Sequence, residues 1–155
     1  KDECAILYNR RVRSEVTKLR DASINDLKRY NDELATKRLQ WFQTIDRESP
    51  VSKESPLHTA YALLLLKLGA SVEEMPIVKQ DSERIVFHSM NFCPTLEACK
   101  ILDLDTRYVC KHCNEEATDR LVKRVHPSLV FTRNYNHLRP VTPYCEESLL
   151  LRRQR

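Results

Sequence analysis

Glycine is nearly absent: the 155-residue chain has one, Gly69. The dinucleotide fingerprint, the P-loop and the nucleophile elbow each need at least two glycines close together, so all three are excluded. There is no His-Glu-x-x-His and no Asp-rich calcium loop with a central glycine. Long apolar runs are also missing. The longest, Ala60 to Leu66, falls far short of the ~20 residues that span a bilayer, so no membrane partner is expected. No basic stripe interleaved with aromatics is visible, so nucleic acid is not an expected partner either. Six cysteines are too few for a disulfide scaffold in a chain of this size. No secretory leader is visible, so they read as cytoplasmic thiols, metal ligands or catalytic groups.

What is present is a soluble, globular balance: hydrophobic residues make up 41% and charged residues 31%. The length fits one domain. The net charge is +4, with 22 acidic residues spread among 26 basic ones. The densest basic cluster is Arg152, Arg153 and Arg155.

The first half reads as helical. Leu7, Val12, Val16 and Leu19 follow helical spacing. Ser23 opens a second helix, with Asp26 completing a capping-box-like arrangement. Ile24, Leu27, Asn31, Leu34, Trp41 and Ile45 roughly continue one face, and Pro50 marks the end. Ser55-Pro56 starts a third helix, which runs through Tyr61 and Leu64 to Leu68. Gly69 follows directly, where a helix C-cap needs a left-handed residue.

The second half changes period. Arg84 to Met90 alternates and is rich in β formers, which predicts a strand. Cys93-Pro94 starts a helix through Leu102, and another runs from about Thr106 to Val125. His126-Pro127 breaks it. Leu129 to Tyr135 is the second strand, with Leu129, Phe131, Arg133 and Tyr135 on one face. Tyr144 to Leu151 is the third, with Cys145, Glu147, Leu149 and Leu151 on one face. A short loop between these two suits antiparallel pairing. The expectation is one α+β domain over residues 1–155: a helical part (1–70) and a cysteine-bearing α/β part (84–151). N-terminal helices would pack on a small, mostly antiparallel sheet, with two helices between the first and second strands.

Cys93, Cys99, Cys110, Cys113 and Cys145 cluster in this second part, while Cys4 stands apart as an incidental helix residue. Cys110-x-x-Cys113 has metal-ligand spacing, and with Cys93, Cys99, Cys145 or His112 it could hold zinc or an iron–sulfur cluster. On a helix the same spacing puts both sulfurs on the Ala117 and Leu121 face, so core cysteines are the competing reading, and a redox pair is a third. Cys93 sits at a helix N-terminus, where free N–H groups and the helix dipole favour a thiolate. It is thus a candidate nucleophile or metal ligand, against the alternative of a small buried N-cap. His88 on the preceding strand is the nearest candidate base, with His112 and His137 further off. Arg133, Arg139 and Tyr144 are candidates for an anion-binding corner, because Arg offers a planar two-pronged donor. Arg139-Pro140 is the stiffer of the two arginine positions. Glu146 and Glu147 point to opposite sides of their strand, so only one of them can face inward as a ligand or general base.

Several of these residues recur together as a pattern: Asn91-Phe92-Cys93-Pro94, Leu96-Glu97-Ala98-Cys99, and Leu104-Asp105-Thr106-Arg107 with Cys110. They continue with Pro127-x-Leu129-x-Phe131, Arg139-Pro140 and Tyr144-Cys145-Glu146-Glu147. The stretch from Arg84 to Leu151 resembles the L-2-amino-thiazoline-4-carboxylic acid hydrolase-like family. The resemblance covers just under half of the chain. It implies an α+β domain with a small-molecule pocket, a hydrolysis that opens a cyclic C–N bond, and functional roles for Cys93, Cys99, Cys110 and Cys145. Cys113 and His112 depart from the family pattern. The similar vinyl-reductase-type domains act as ligand-binding modules, so a non-catalytic ligand or metal sensor is the alternative that the resemblance implies. A third reading is an interaction module whose N-terminal helices pair with a second copy, leaving Trp41 and Phe42 on an exposed apolar patch.

Overall fold

The computed structural model describes residues 2–153, with side chains from Asn9 onward. The expectations placed on the side chains of Cys4 and Leu7, and on Arg155, lie outside the described residues.

Helix α1 (Asp2–Leu19) turns through Asp21 and Ala22 into α2 (Ile24–Glu48). The capping box forms as the sequence predicts: the Asp26 N–H donates to Ser23 Oγ (3.1 Å) and the Ser23 N–H donates to Asp26 Oδ2 (2.9 Å). Helix α2 buries Leu27, Asn31, Ala35, Arg38 and Phe42, a stripe at helical spacing with two polar members. Asn31 is satisfied, because its amide donates to Glu116 Oε2 (2.5 Å) and accepts from the Ala117 N–H (2.9 Å). Helix α3 (Pro56–Leu68) ends on Gly69 at φ 62° and ψ 31°, the left-handed cap expected of the only glycine.

Strand β1 (Ile77–Gln80) escaped the sequence reading. It is a four-residue edge strand with three exposed members, so it carries no apolar alternation to find. Strand β2 (Arg84–Ser89) stops one residue short of the expected end. Helix α4 (Pro94–Leu102) follows. The helix expected over Thr106 to Val125 is interrupted: α5 (Thr106–Cys110) passes through a π turn (Lys111–Glu115) into α6 (Glu116–Lys123). Strands β3 (Leu129–Arg133) and β4 (Cys145–Leu151) complete the chain, each shorter at one end than expected, so Tyr135 and Tyr144 lie outside the strands.

The fold is α+β. The sheet order is β1-β2-β4-β3, every neighbouring pair antiparallel. Register places Phe87 opposite Glu147, Phe131 opposite Leu149, and Arg133 opposite Glu147. Ile85, Phe87, Phe131 and Leu149 all face the helices and are buried with Leu63, Leu64, Leu121 and Val122 in one core. Each such side chain contributes on the order of 1.5–3 kcal/mol when removed from water. A second cluster joins Leu19, Leu27, Ala98, Cys99, Val109 and Cys113 where α1, α2, α4 and the π turn meet.

Phe42 is 3% exposed and Trp41 packs against the main core. Neither offers the exposed apolar patch that the interaction-module reading places on them: α2 packs these two aromatic side chains inside its own fold. Among the described residues no helix is long and apolar enough to cross a membrane.

Candidate functional site

A cavity of about 260 Å³ opens between the helical face of the sheet, α2, the π turn and the N-terminus of α4. Its volume lies just under the ~300 Å³ at which pockets for drug-sized ligands start, so it matches only a molecule at the small end of that range. The sheet contributes Phe87, Ser89, Phe131, Arg133, Cys145 and Glu147. Strand alternation explains why these residues and not their neighbours line it: side chains two apart share a face. The π turn widens the helix by one residue and presents Cys113 and Asn114 to the same space, beside Cys110 at the end of α5, a device common at functional sites. Helix α1 adds Arg11, Glu15 and Lys18.

Six cationic side chains line the cavity, Arg11, Lys18, Arg38, Lys67, Arg133 and Arg139, against two carboxylates, Glu15 and Glu147. At the base, Arg133 Nε donates to Glu147 Oε2 (3.1 Å) and its Nη2 to Asn114 Oδ1 (2.5 Å). The other Glu147 oxygen accepts from the Ser89 hydroxyl. Arg38 Nη1 donates to Thr118 Oγ1 (2.7 Å), and that hydroxyl in turn donates to the Asn114 carbonyl (3.0 Å). Two guanidinium nitrogens remain buried without a partner among the described residues: Arg38 Nε and Arg133 Nη1. Buried donors of this kind are rare in folded proteins, and each one needs an acceptor to offset its lost hydration. Burial and the neighbouring Arg133 charge lower Arg38 to about 10. Burial is the largest single effect on Arg133 and acts to lower it, but Glu147, Cys110, Tyr135 and Cys145 together outweigh it and the net shift is upward.

The predicted site residues divide between the two faces of the sheet. Cys93, Cys110, Cys113, Cys145, Arg133, Arg139 and Glu147 converge on the cavity. His88 and Tyr144 do not. Their rings stack at 3.7 Å between centroids, and His88 Nε2 lies 3.2 Å from Glu146 Oε1. His88 alternates with Phe87 and Ser89, so it projects from the opposite face. This corrects its expected role as base for Cys93, and the expected role of Tyr144 as a substrate contact. His112 packs edge-on against Tyr108 and does not line the cavity.

Cys93 is the N-cap of α4, and its Sγ accepts the Leu96 N–H at 3.4 Å. The predicted position is therefore right, and burial, which raises the Cys93 thiol and outweighs that hydrogen bond, favours the buried N-cap alternative over the thiolate. Burial also raises Cys110 well above the ordinary thiol value, Cys113 to about 11 and Cys99 to about 12. Cys99 is a core residue, 1% exposed, and does not reach the cavity. Among the described residues no three His, Cys, Asp or Glu side chains are grouped to hold a metal ion. The expected five-cysteine ligand set for zinc or an iron–sulfur cluster is thus not assembled, because the sulfurs are spread around a cavity wall and a core.

Cys145 differs from the others. Its Sγ accepts from the Arg139 backbone N–H (3.5 Å) and from Arg139 Nε (3.3 Å). Arg139, whose bond to Pro140 is cis, is itself anchored by donation from Nη1 to the Asn91 carbonyl (2.7 Å). The sequence reading gave Arg139 the role of ligand anchor; the structure commits two of its side-chain nitrogens to protein acceptors. Arg38, Arg11 and Lys18 were missed. The signal for Arg38 was available, since a cation lies on the α2 stripe between Ala35 and Phe42.

The fold and site define an α+β domain built around a basic cavity walled by thiols. Comparison with protein-family models, curated proteins and solved structures finds no match to the chain.

Proposed function

We propose that the protein binds a small carboxylate-bearing molecule in this cavity. One observation carries the reading: among the described residues, Arg38 Nε and Arg133 Nη1 are buried donors without acceptors, in a cavity whose charged side chains are predominantly cationic. A carboxylate supplies two acceptor oxygens for such donors and matches guanidinium geometry. The reading extends to catalysis through the resemblance of residues 84–151 to the L-2-amino-thiazoline-4-carboxylic acid hydrolase-like family, which suggests hydrolysis of a cyclic C–N bond in that ligand. Cytoplasmic residence belongs to the same reading: the five described cysteines are free thiols, which suits a reducing compartment.

A specific observation favours a non-catalytic binding or sensor domain as the second reading. Cys93, Cys110 and Cys113 are all held toward the protonated, less nucleophilic thiol by burial. One titration separates the two. Wild-type protein is heated with increasing 2-amino-thiazoline-4-carboxylate or pyrrole-2-carboxylate, and the ligand is then recovered for mass spectrometry. Saturable stabilisation supports the cavity as the binding site. Ring-opened product from the thiazoline supports the hydrolase, and unchanged ligand supports the sensor. Absence of stabilisation by any carboxylate contradicts both.

A further inference from the structure

We infer that Cys145 is the reactive thiol of this cavity, and that it is alkylated preferentially by an anionic electrophile whose carboxylate rests on Arg38 and Arg133. The inference rests on the carboxylate reading above and adds to it the reacting atom.

Three observations meet at this residue. Cys145 opens β4 on the cavity side, two residues before Glu147, so its sulfur shares the space into which Arg133 projects. Two N–H donors of Arg139, one of them on the guanidinium, already point at Sγ from 3.5 and 3.3 Å. Donors fixed in advance on an atom where negative charge develops are worth more than donors that must reorganise, because the site is shielded from water. The Asn91 carbonyl holds Arg139 in place at 2.7 Å. Finally, among the described residues, Arg38, 8% exposed, leaves Nε without an acceptor in the same cavity, so there is a docking point for the anionic end of a ligand besides the thiol.

The other cavity thiols lack this arrangement. Cys93 accepts a single backbone N–H as a helix cap. Cys113 belongs to the core cluster with Cys99. Cys110 has its thiol pushed well up by burial.

The test uses wild-type full-chain protein, so it does not depend on a variant folding. Native protein is treated with limiting iodoacetate or iodoacetamide, and the labelled cysteine is mapped by mass spectrometry. Alkylation forms S–C, breaks C–I and releases the proton to buffer. Among the five described cysteines, Cys145 is expected to label first. Relative to free cysteine in the same tube, the iodoacetate-to-iodoacetamide rate ratio at Cys145 is expected to rise by about tenfold or more, as a cationic cleft concentrates an anion. Arg38→Met is expected to lower that ratio. Labelling of Cys93, Cys99, Cys110 or Cys113 ahead of Cys145 overturns the Cys145 assignment and, if iodoacetate is still preferred there, leaves the carboxylate reading standing. Labelling at Cys145 with no preference for iodoacetate overturns the carboxylate reading and the inference with it.

Discussion

Arg133 and Glu147 sit opposite each other in the β3–β4 ladder, and their side chains pair on the cavity side at 3.1 Å, with 11% and 10% of their side-chain surfaces exposed. A charge pair this enclosed is costly to break from one side, because the remaining charge is left without water or partner. Glu147→Leu is expected to destabilise the fold by about 3–5 kcal/mol. Adding Arg133→Met is expected to recover most of that loss while abolishing carboxylate binding. Urea unfolding midpoints of the single and double variants check the first statement, and ligand titration of the double variant checks the second.

His88 tests the division between the two faces of the sheet. It stacks on Tyr144 and contacts Glu146 away from the cavity. His88→Ala is therefore expected to leave carboxylate affinity within about twofold of wild type, a change of less than ~0.5 kcal/mol. Calorimetric titration reads this directly. A tenfold loss would put His88 back in the site.

Burial of thiols gives the stability curve an alkaline slope. A thiol in the unfolded chain ionises near ~8.5, while Cys113 is raised to about 11 and Cys99 to about 12 in the fold. Above the unfolded value the unfolded state holds fewer protons than the folded one, so stability falls as pH rises. The loss is expected to begin near pH ~8.5 and continue to about 11 for Cys113 and about 12 for Cys99, with no contribution from these groups at lower pH. Urea midpoints at pH 8 and 10.5 in wild type and Cys99→Ala measure it, and the variant is expected to show the shallower fall.

Gly69 caps α3 in the left-handed conformation, which Asp21 and Asp103 also adopt. Its φ is +62° and a Cβ there would meet nothing within 4 Å, so a substitution costs only backbone strain. Gly69→Ala is expected to cost about 1 kcal/mol, and Gly69→Asn less, because asparagine tolerates the left-handed conformation. Thermal unfolding of the two variants compares them.

Much of the fold was legible because single residues carried it. Ser23 with Asp26, Ser55-Pro56 and Gly69 are local signals that need no tertiary context. Strand parity correctly separated Glu146 from Glu147, and the same parity applied to Phe87, His88 and Ser89 would have turned His88 away from Cys93. The site was only half legible for a different reason. Arg11 and Lys18 on α1 and Arg38 on α2 reach a cavity floored by β3 and β4, and no sequence period links positions so far apart. Between the thiolate and the buried N-cap at Cys93, competing magnitudes favour the N-cap: a helix N-terminus lowers a thiol pKa, but enclosure raises it more. The π turn had no signature, since Lys111–Glu115 has an ordinary helical composition.

The most direct test of the central claim compares pyrrole-2-carboxylate with pyrrole-2-carboxamide by calorimetry, on wild type and on Arg38→Met. The two ligands share shape and differ in charge. The cavity described here predicts that the carboxylate binds wild type about 10- to 100-fold more tightly than the amide, the ~1.5–3 kcal/mol expected of hydrogen bonds to a charged group. It also predicts that this difference largely disappears in Arg38→Met. Equal affinity of wild type for the two ligands, or an undiminished preference in the variant, would contradict the assignment of this cavity to a carboxylate.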